Sequence, residues 1–339
     1  MKLEQFTYDL PESAISKVPA EPRDSAKCLI SRNKTELIDS NVQNISEYIE
    51  SGDLVIVNNT KVLPARIFIK RKSGLNGEVF LLNRIRDNVW EALVRPSAKI
   101  KINETVEVLK NSSHKKLEMV IGENISESTR QVELLSYSED EFIHDAGQTP
   151  LPPYLGDVDI PIERYQTMFS KEEKSVAAPT AGLHFTQRVV DQLSEKKIDL
   201  CEITLHVGLG TFKPIQTDKV EDHVMHEEIY SVPSEVWDKV LETKKRGNKI
   251  VAVGTTSLRT LESVAITSQL SGSTDLFCYG DFDFKIVDYL FTNFHQSGSS
   301  LLVLLDAFIG SRWRELYDYA LKNEYRFLSF GDSMFVGKR

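Results

Sequence analysis

The chain has 339 residues, 41% apolar and 27% charged, which excludes disorder and is long for one core, so two domains are expected. A net charge of −9 excludes a uniformly basic nucleic-acid binder but leaves room for a local basic face. Three scattered cysteines (Cys28, Cys201 and Cys278) offer neither a disulfide framework nor metal-ligand spacing.

The start, MKLEQFTYDL, has no apolar leader core. The longest apolar run, LLVLLDAFIG, is too short to span a bilayer and contains Asp306. A reduced, cytoplasmic protein without a membrane partner is expected.

In chain order, SNVQNISEYIE (40–50) sets Val42, Ile45 and Ile49 on one helical face, and Gly52 ends it. DLVIVNN (53–59) reads as a buried strand stopped by two asparagines. Then the texture changes. GEVFLLNRI, NVWEALVR, ETVEVLK, KKLEMVIG and RQVELLSY are short strand-like runs separated by Gly, Asn, Asp and Ser, with no helix-length pattern among them. This spacing predicts a small β-barrel or sandwich. TPLPPY (149–154) is a stiff connector. Beyond it, FTQRVVDQLSEKK, SEVWDKVLETKKRG (with Ser234 as N-cap), TSLRTLESVA and RWRELYDYALKN read as helices, and LCEITLHVG, KIVAVG and YRFLSFG as strands. Such alternation predicts α/β layers. The expected fold class is therefore α/β, a mixed-sheet main domain (1–66 plus 149–339) interrupted by an inserted small β-barrel domain (67–148).

Several stretches carry chemistry-bearing residues. VAVGTTSLRT (251–260) runs a strand through Gly254 into Thr255, Thr256 and Ser257, where free helix N–H groups would favour a carboxylate or phosphate. The same residues also read as an ordinary capped helix. HVGLGTFKP (206–214) contains GxG, but Pro214 blocks the helix a dinucleotide site requires, so a Gly-rich ligand loop is the better reading. In DHVMHEE (222–228), His223 and His226 would share a face if helical, beside Glu227 and Glu228. FTNFHQSGSS (291–300) puts Asn293 and His295 at a strand end. VAAPTAGLHFT (176–186) crowds small residues before His184 and Phe185. Five of the seven histidines thus stand near Gly- or hydroxyl-rich loops, which suggests one pocket. Lysine and arginine cluster at 70–72, 99–101, 115–116 and 244–246; the last group also suits a helix C-terminus.

YDLPESAISKVPAEPRDSAKCL (8–29), GDLVIVNNTKVLPARIF (52–68), GQTPLPPY (147–154), ERYQTMFSKEEKSVAAPTAGLHFT (163–186), ITLHVGLGTFKPI (203–215), HVMHEE (223–228), VGTTSLRTLES (253–263), VDYLFTNFH (287–295) and YRFLSFGDSM (325–334) together resemble the S-adenosylmethionine:tRNA ribosyltransferase-isomerase family of queuosine biosynthesis. AAPTAGLHFT and TLHVGLGTF are the most specific blocks. Departures are Gln296 and Ser297 where the family has Leu-Pro, YGDFDF (279–284), and RDSAKCL (23–29). The first of these puts the loop geometry around His295 in question.

The resemblance implies an α/β domain with an inserted β-barrel. It implies a tRNA substrate carrying 7-aminomethyl-7-deazaguanine at the wobble position, with S-adenosylmethionine as ribosyl donor. Epoxyqueuosine-tRNA, adenine and methionine would be the products. No metal and no tightly bound cofactor are implied. Within that frame His184, His206, His226 and Glu228 are candidate proton carriers. Candidate substrate contacts are Ala178, Pro179, Thr180 and Gly182 along the small-residue loop, Gly208, Gly210 and Thr211 in the Gly-rich loop, and His223, Asn293 and His295. Tyr165 or Phe185 would face the sulfonium. Thr255, Thr256 and Ser257, or Arg259, would hold the methionine carboxylate. Arg66, Lys70, Arg71, Lys72, Lys99 and Lys101 would meet tRNA phosphates. Two other readings stay open: a metal-dependent hydrolase using His206, His223, His226 and Glu228, and a tRNA-binding relative that has lost catalysis. Monomer and homodimer are both open.

Overall fold

Four apolar runs build the centre of a nine-stranded sheet. Asp199–Leu205, Leu54–Asn58, Ile250–Val253 and Tyr289–Asn293 lie side by side and parallel. The two middle runs are buried throughout, as continuous apolar strands covered on both faces should be. Ser333–Gly337 adds antiparallel to Tyr289–Asn293, then Lys27–Ser31 parallel and Ile38–Asn41 antiparallel. On the other side Glu228–Ser231 and Ser271–Thr274 add antiparallel. The sheet is therefore mixed. This computed structural model describes every residue except 110, 111, 113–115, 127, 137, 157, 159 and 209–213.

The expected helices form at Gln187–Glu195, Ser234–Lys245, Thr255–Thr267 and Trp313–Lys322. Ser234 is the first helical residue, with Pro233 before it, rather than the cap. The 40–50 segment is a 3-10 helix, Val42–Tyr48, which still buries Val42 and Ile45. These residues pack with Val55, Val57, Val189, Val253 and Phe291 in one cluster against the sheet. YRFLSFG is not a strand. Its aromatic rings fill the interior, with Phe327 against Phe294 at 4.7 Å, and the strand starts later, at Ser333. His223 to Glu227 do not form a helix either; a short turn, Val220–Asp222, ends before them.

By packing, the chain divides into two units. One comprises Met1–Lys61, Gln166–Glu172 and Ala178–Arg339; the other comprises Val62–Tyr165 and Glu173–Ala177. The second is a closed six-stranded barrel. Its strands, in order, are Thr129–Leu134, Val89–Arg95, Asn76–Arg86, Arg66–Lys70, Glu104–Val108 and Glu118–Asn124. Ile67, Ile69, Val79, Leu81, Ala92, Val94, Val106, Met119, Ile121 and Val132 are buried in it. A helix, Glu139–Ala146, follows the last strand. The strand texture hid it, although Ser138 accepts from the Glu141 N–H as a capping residue does.

One buried cation organises an end of the barrel. Arg130 donates to the carbonyls of Gly122, Ser97, Ile100 and Lys101. Burial lowers its pKa, opposed by the nearby Glu104 carboxylate, and the surrounding carbonyls take the place of the water that the buried cation has lost. Replacing it with methionine, Arg130→Met, strands these acceptors, at about 1–3 kcal/mol for such a loss. The variant should melt several degrees lower, and its 97–101 amides should exchange faster in hydrogen–deuterium exchange.

Candidate active site

The C-terminal ends of the four parallel strands are where an α/β fold places ligands, and here the expected residues gather. Asn58 ends one strand. Its side chain donates to the Leu205 carbonyl and accepts from the N–H groups of Leu205 and Thr60. The asparagine pair of DLVIVNN thus continues the strand pairing with side chains. His206, just beyond Leu205, sets Nδ1 3.1 Å from Thr60 Oγ1.

Asn293 ends a second strand and ties the small-residue loop down. Thr180 Oγ1 donates to Asn293 Oδ1 at 3.0 Å. The amide nitrogen meets His184 Nε2 at 3.0 Å and also donates to the Leu328 carbonyl. With its oxygen occupied by the hydroxyl, the amide donates to the ring, so Nε2 is the unprotonated nitrogen. Burial pushes His184 down to about 4, opposed by the charge of Asp332 and, less, by a hydrogen bond to the Arg23 backbone. Asp24 anchors that segment. It is buried, and Thr186 and Arg188 donate to it. Burial alone would raise the Asp24 pKa, but those donors hold it below the usual range. Nothing in the sequence pattern marked Asp24.

His295 is equally locked. Its ring meets Thr292 Oγ1 at 3.1 Å, its N–H donates to the Tyr317 hydroxyl, and its carbonyl accepts from the Tyr8 hydroxyl. Burial lowers it to about 3. The five histidines therefore do not share one environment. His184 and His295 sit buried beside the Tyr289–Asn293 strand, and His206 lies beside Thr60. His223 packs edge-on against Phe277, and burial and the neighbouring His226 lower its pKa.

A third strand runs into Gly254 at φ +87°, and the helix Thr255–Thr267 follows. Only glycine adopts that angle without strain. A Cβ there would lie 3.5 Å from both Ala181 Cβ and Thr256 Oγ1, so the small-residue loop abuts the helix start. From within this helix Arg259 donates to Glu228 and to the Leu276 carbonyl. The other Glu228 oxygen accepts from the Gly208 N–H at 3.0 Å. Glu228 is thus a buried, charge-paired clamp on the start of the Gly-rich loop. Gly210 and Thr211 lie outside the described residues. Among the described residues, no group of three or more His, Cys, Asp or Glu is placed to hold a metal ion, and no helix is long and apolar enough to cross a membrane.

Other expected contacts face inward. A Cβ on Gly182 would meet Thr167 at 3.1 Å, so this glycine makes room for close packing. Phe185 is core, 5.3 Å from Phe291 and 5.9 Å from Phe169. Tyr165, Ala178 and Pro179 are buried, and Thr180 is partly exposed. On the barrel, Lys70, Lys72, Lys99 and Lys101 are exposed, at a strand end or in the connections between strands. Arg71 is buried with its guanidinium on the Lys99 carbonyl, and Arg66 pairs with Glu78 and lies over Phe68. Both arginines thus build the barrel.

Residues 3–336 match a protein family described as queuosine biosynthesis protein. The chain belongs to this family. Similar members are the S-adenosylmethionine:tRNA ribosyltransferase-isomerases of Thermotoga maritima (44% identical), Thermosipho africanus (43%) and Halothermothrix orenii (41%), each match covering 99% of this chain and 100% of the relative. The crystal structure of S-adenosylmethionine tRNA ribosyltransferase from Thermotoga maritima superposes over 98% of this chain and 99% of that one, with a TM-score of 0.57 and 35% identity in that comparison. In this member of the queuosine biosynthesis family, the divergent Gln296–Ser297 step is well accommodated. Ser297 Oγ accepts from the Tyr8 N–H, and the Gln296 carbonyl accepts from Ser299, which caps the Ser300–Ile309 helix.

The two depressed histidines set an acid limit. Both bind a proton more readily unfolded, near 6.5, than folded. Their contribution to stability is complete above about pH 6.5 and fades as pH falls towards their folded values. The melting temperature should drop between pH 7 and pH 5, and His184→Asn should flatten that drop. An unchanged slope in the variant would show that His184 does not titrate in this way.

Proposed function

We propose that this protein transfers and isomerises the ribosyl group of S-adenosylmethionine onto 7-aminomethyl-7-deazaguanine in tRNA, releasing adenine and methionine. The carrying observation is the end-to-end match to relatives bearing the ribosyltransferase-isomerase name. The strand-end site adds a place for the chemistry. S-adenosylmethionine is a co-substrate in this reading, and the tRNA anticodon region is the partner.

The sulfonium acidifies C5′ of the ribose, so a base removes a proton there. The aminomethyl nitrogen attacks while neutral, and adenine leaves more readily once protonated. Proton carriers must titrate or reach solvent. His184 and His295 are neutral and fully engaged, so their role is to hold the small-residue loop and the strand end. Glu228 is engaged by Arg259 and the Gly208 N–H, so its role in this reading is to position them. His206, partly exposed, and His226, exposed, are the remaining carriers among the four candidates.

On the tRNA side, Lys70, Lys72, Lys99 and Lys101 meet phosphates, and the Arg130 network fixes the loop that bears the last two. Changing Lys99 and Lys101 together to alanine should weaken tRNA binding and reduce the slope of log affinity against log salt by roughly 0.7–0.9 per lost contact. Unchanged salt dependence would move the RNA face elsewhere.

The deciding assay mixes protein, S-adenosylmethionine and tRNA with or without the aminomethyl-deazaguanine. Adenine and methionine should appear only with the modified tRNA. Salt-dependent tRNA binding without adenine release would sink the transferase reading in favour of binding alone.

A further inference from the structure

Three of the six hydroxyl side chains of the Thr255–Thr267 helix follow one rule. Ser257, Thr260 and Thr267 each fold back onto the carbonyl four residues earlier. Thr256 breaks it. Its Oγ1 is buried, in a residue 7% exposed, and has no hydrogen-bond partner among the described residues. It lies 3.5 Å from where a Cβ on Gly254 would stand, at the helix mouth. No side chain caps that mouth, because Gly254 has none to offer. The first N–H groups of the helix point the same way.

Arg259 follows three residues later and so lies on the same helix face. It is 4% exposed. Nε is held by the Leu276 carbonyl and Nη1 by Glu228, which is itself fixed by Gly208. Nη2 has no partner among the described residues. Two buried polar groups on one face, both unsatisfied, are costly, and a ligand that accepts from both would remove that cost. The guanidinium is pinned on two edges, with the third kept open.

We propose that Thr256 Oγ1, Arg259 Nη2 and the adjoining helix N–H groups form the seat of an amino-acid α-carboxylate, which, given the ribosyl-donor reading above, is the methionine end of S-adenosylmethionine. The charge balance selects a carboxylate over a phosphate. Glu228 already neutralises Arg259, so only the helix's partial positive charge remains to offset the ligand. One negative charge fits that balance; two do not. Thr256 therefore reads the carboxylate, and Glu228 is a positioning residue that aims Arg259.

The test compares S-adenosylmethionine with decarboxylated S-adenosylmethionine, by calorimetry on the full chain, alongside the adenine-release assay. The wild type should prefer the carboxylated ligand by on the order of 100-fold. Thr256→Val should lose roughly tenfold for S-adenosylmethionine and little for the decarboxylated compound, and Thr256→Ser should restore the difference. Equal wild-type affinity for both ligands, with adenine still released, overturns the carboxylate seat and leaves the ribosyl-transfer reading standing. That comparison needs no variant to fold. Equal weakening of both ligands by Thr256→Val also overturns the seat. Absence of both binding and adenine release overturns the seat together with the reading on which it rests.

Discussion

A single side-chain amide holds the candidate site together. Asn293 stands at the end of a central strand and reaches three segments: Thr180, His184 and the Leu328 carbonyl. The His184 ring and the Leu328 carbonyl, in buried residues, would otherwise be in search of a partner. The small-residue loop has little apolar bulk of its own to pack, so polar anchoring replaces it. Asp24 does the same from the far side through Thr186 and Arg188. The loop that abuts the Thr255 helix mouth is thus fixed at both ends by hydrogen bonds that burial makes stronger.

This arrangement sorts the titratable groups. Those that hold the frame are buried and bonded: His184 and His295, whose basicity burial lowers, and Glu228 in its pair with Arg259. His206 is partly exposed and His226 exposed, and these are the carriers of the proposed reaction. Thr256 Oγ1 and Arg259 Nη2, two of the buried side-chain atoms without a hydrogen-bond partner among the described residues, differ from these groups in sharing one helix face.

Much of the fold could be read from pattern. Apolar runs with no alternation marked the parallel core, and evenly spaced short strands marked the barrel. Helical periodicity located the four long helices described above. What failed had local causes. YRFLSFG has strand-like composition, but its aromatic rings are used for packing before the strand begins at Ser333. The Glu139 helix followed a run of strands and was masked by them. For the site, residue types could not say which atoms face inward. Gly182 and Phe185 look like ligand surface in sequence and are interior because Thr167, Phe169 and Phe291 crowd them. Asp24, far from any motif of catalytic type, was invisible because its partners lie more than 160 residues away.

The rims of the large sheet have a consequence of their own. An outer strand offers unpaired backbone groups to any passing chain, and long apolar rims invite end-to-end stacking into aggregates. Here both rims are four residues long, Ser271–Thr274 and Ile38–Asn41, and all but one of their residues are hydrophilic or glycine. The barrel, being closed, has no rim at all. A nine-stranded sheet and a six-stranded barrel can therefore coexist at high cellular concentration with little surface on which a neighbouring molecule could extend either one.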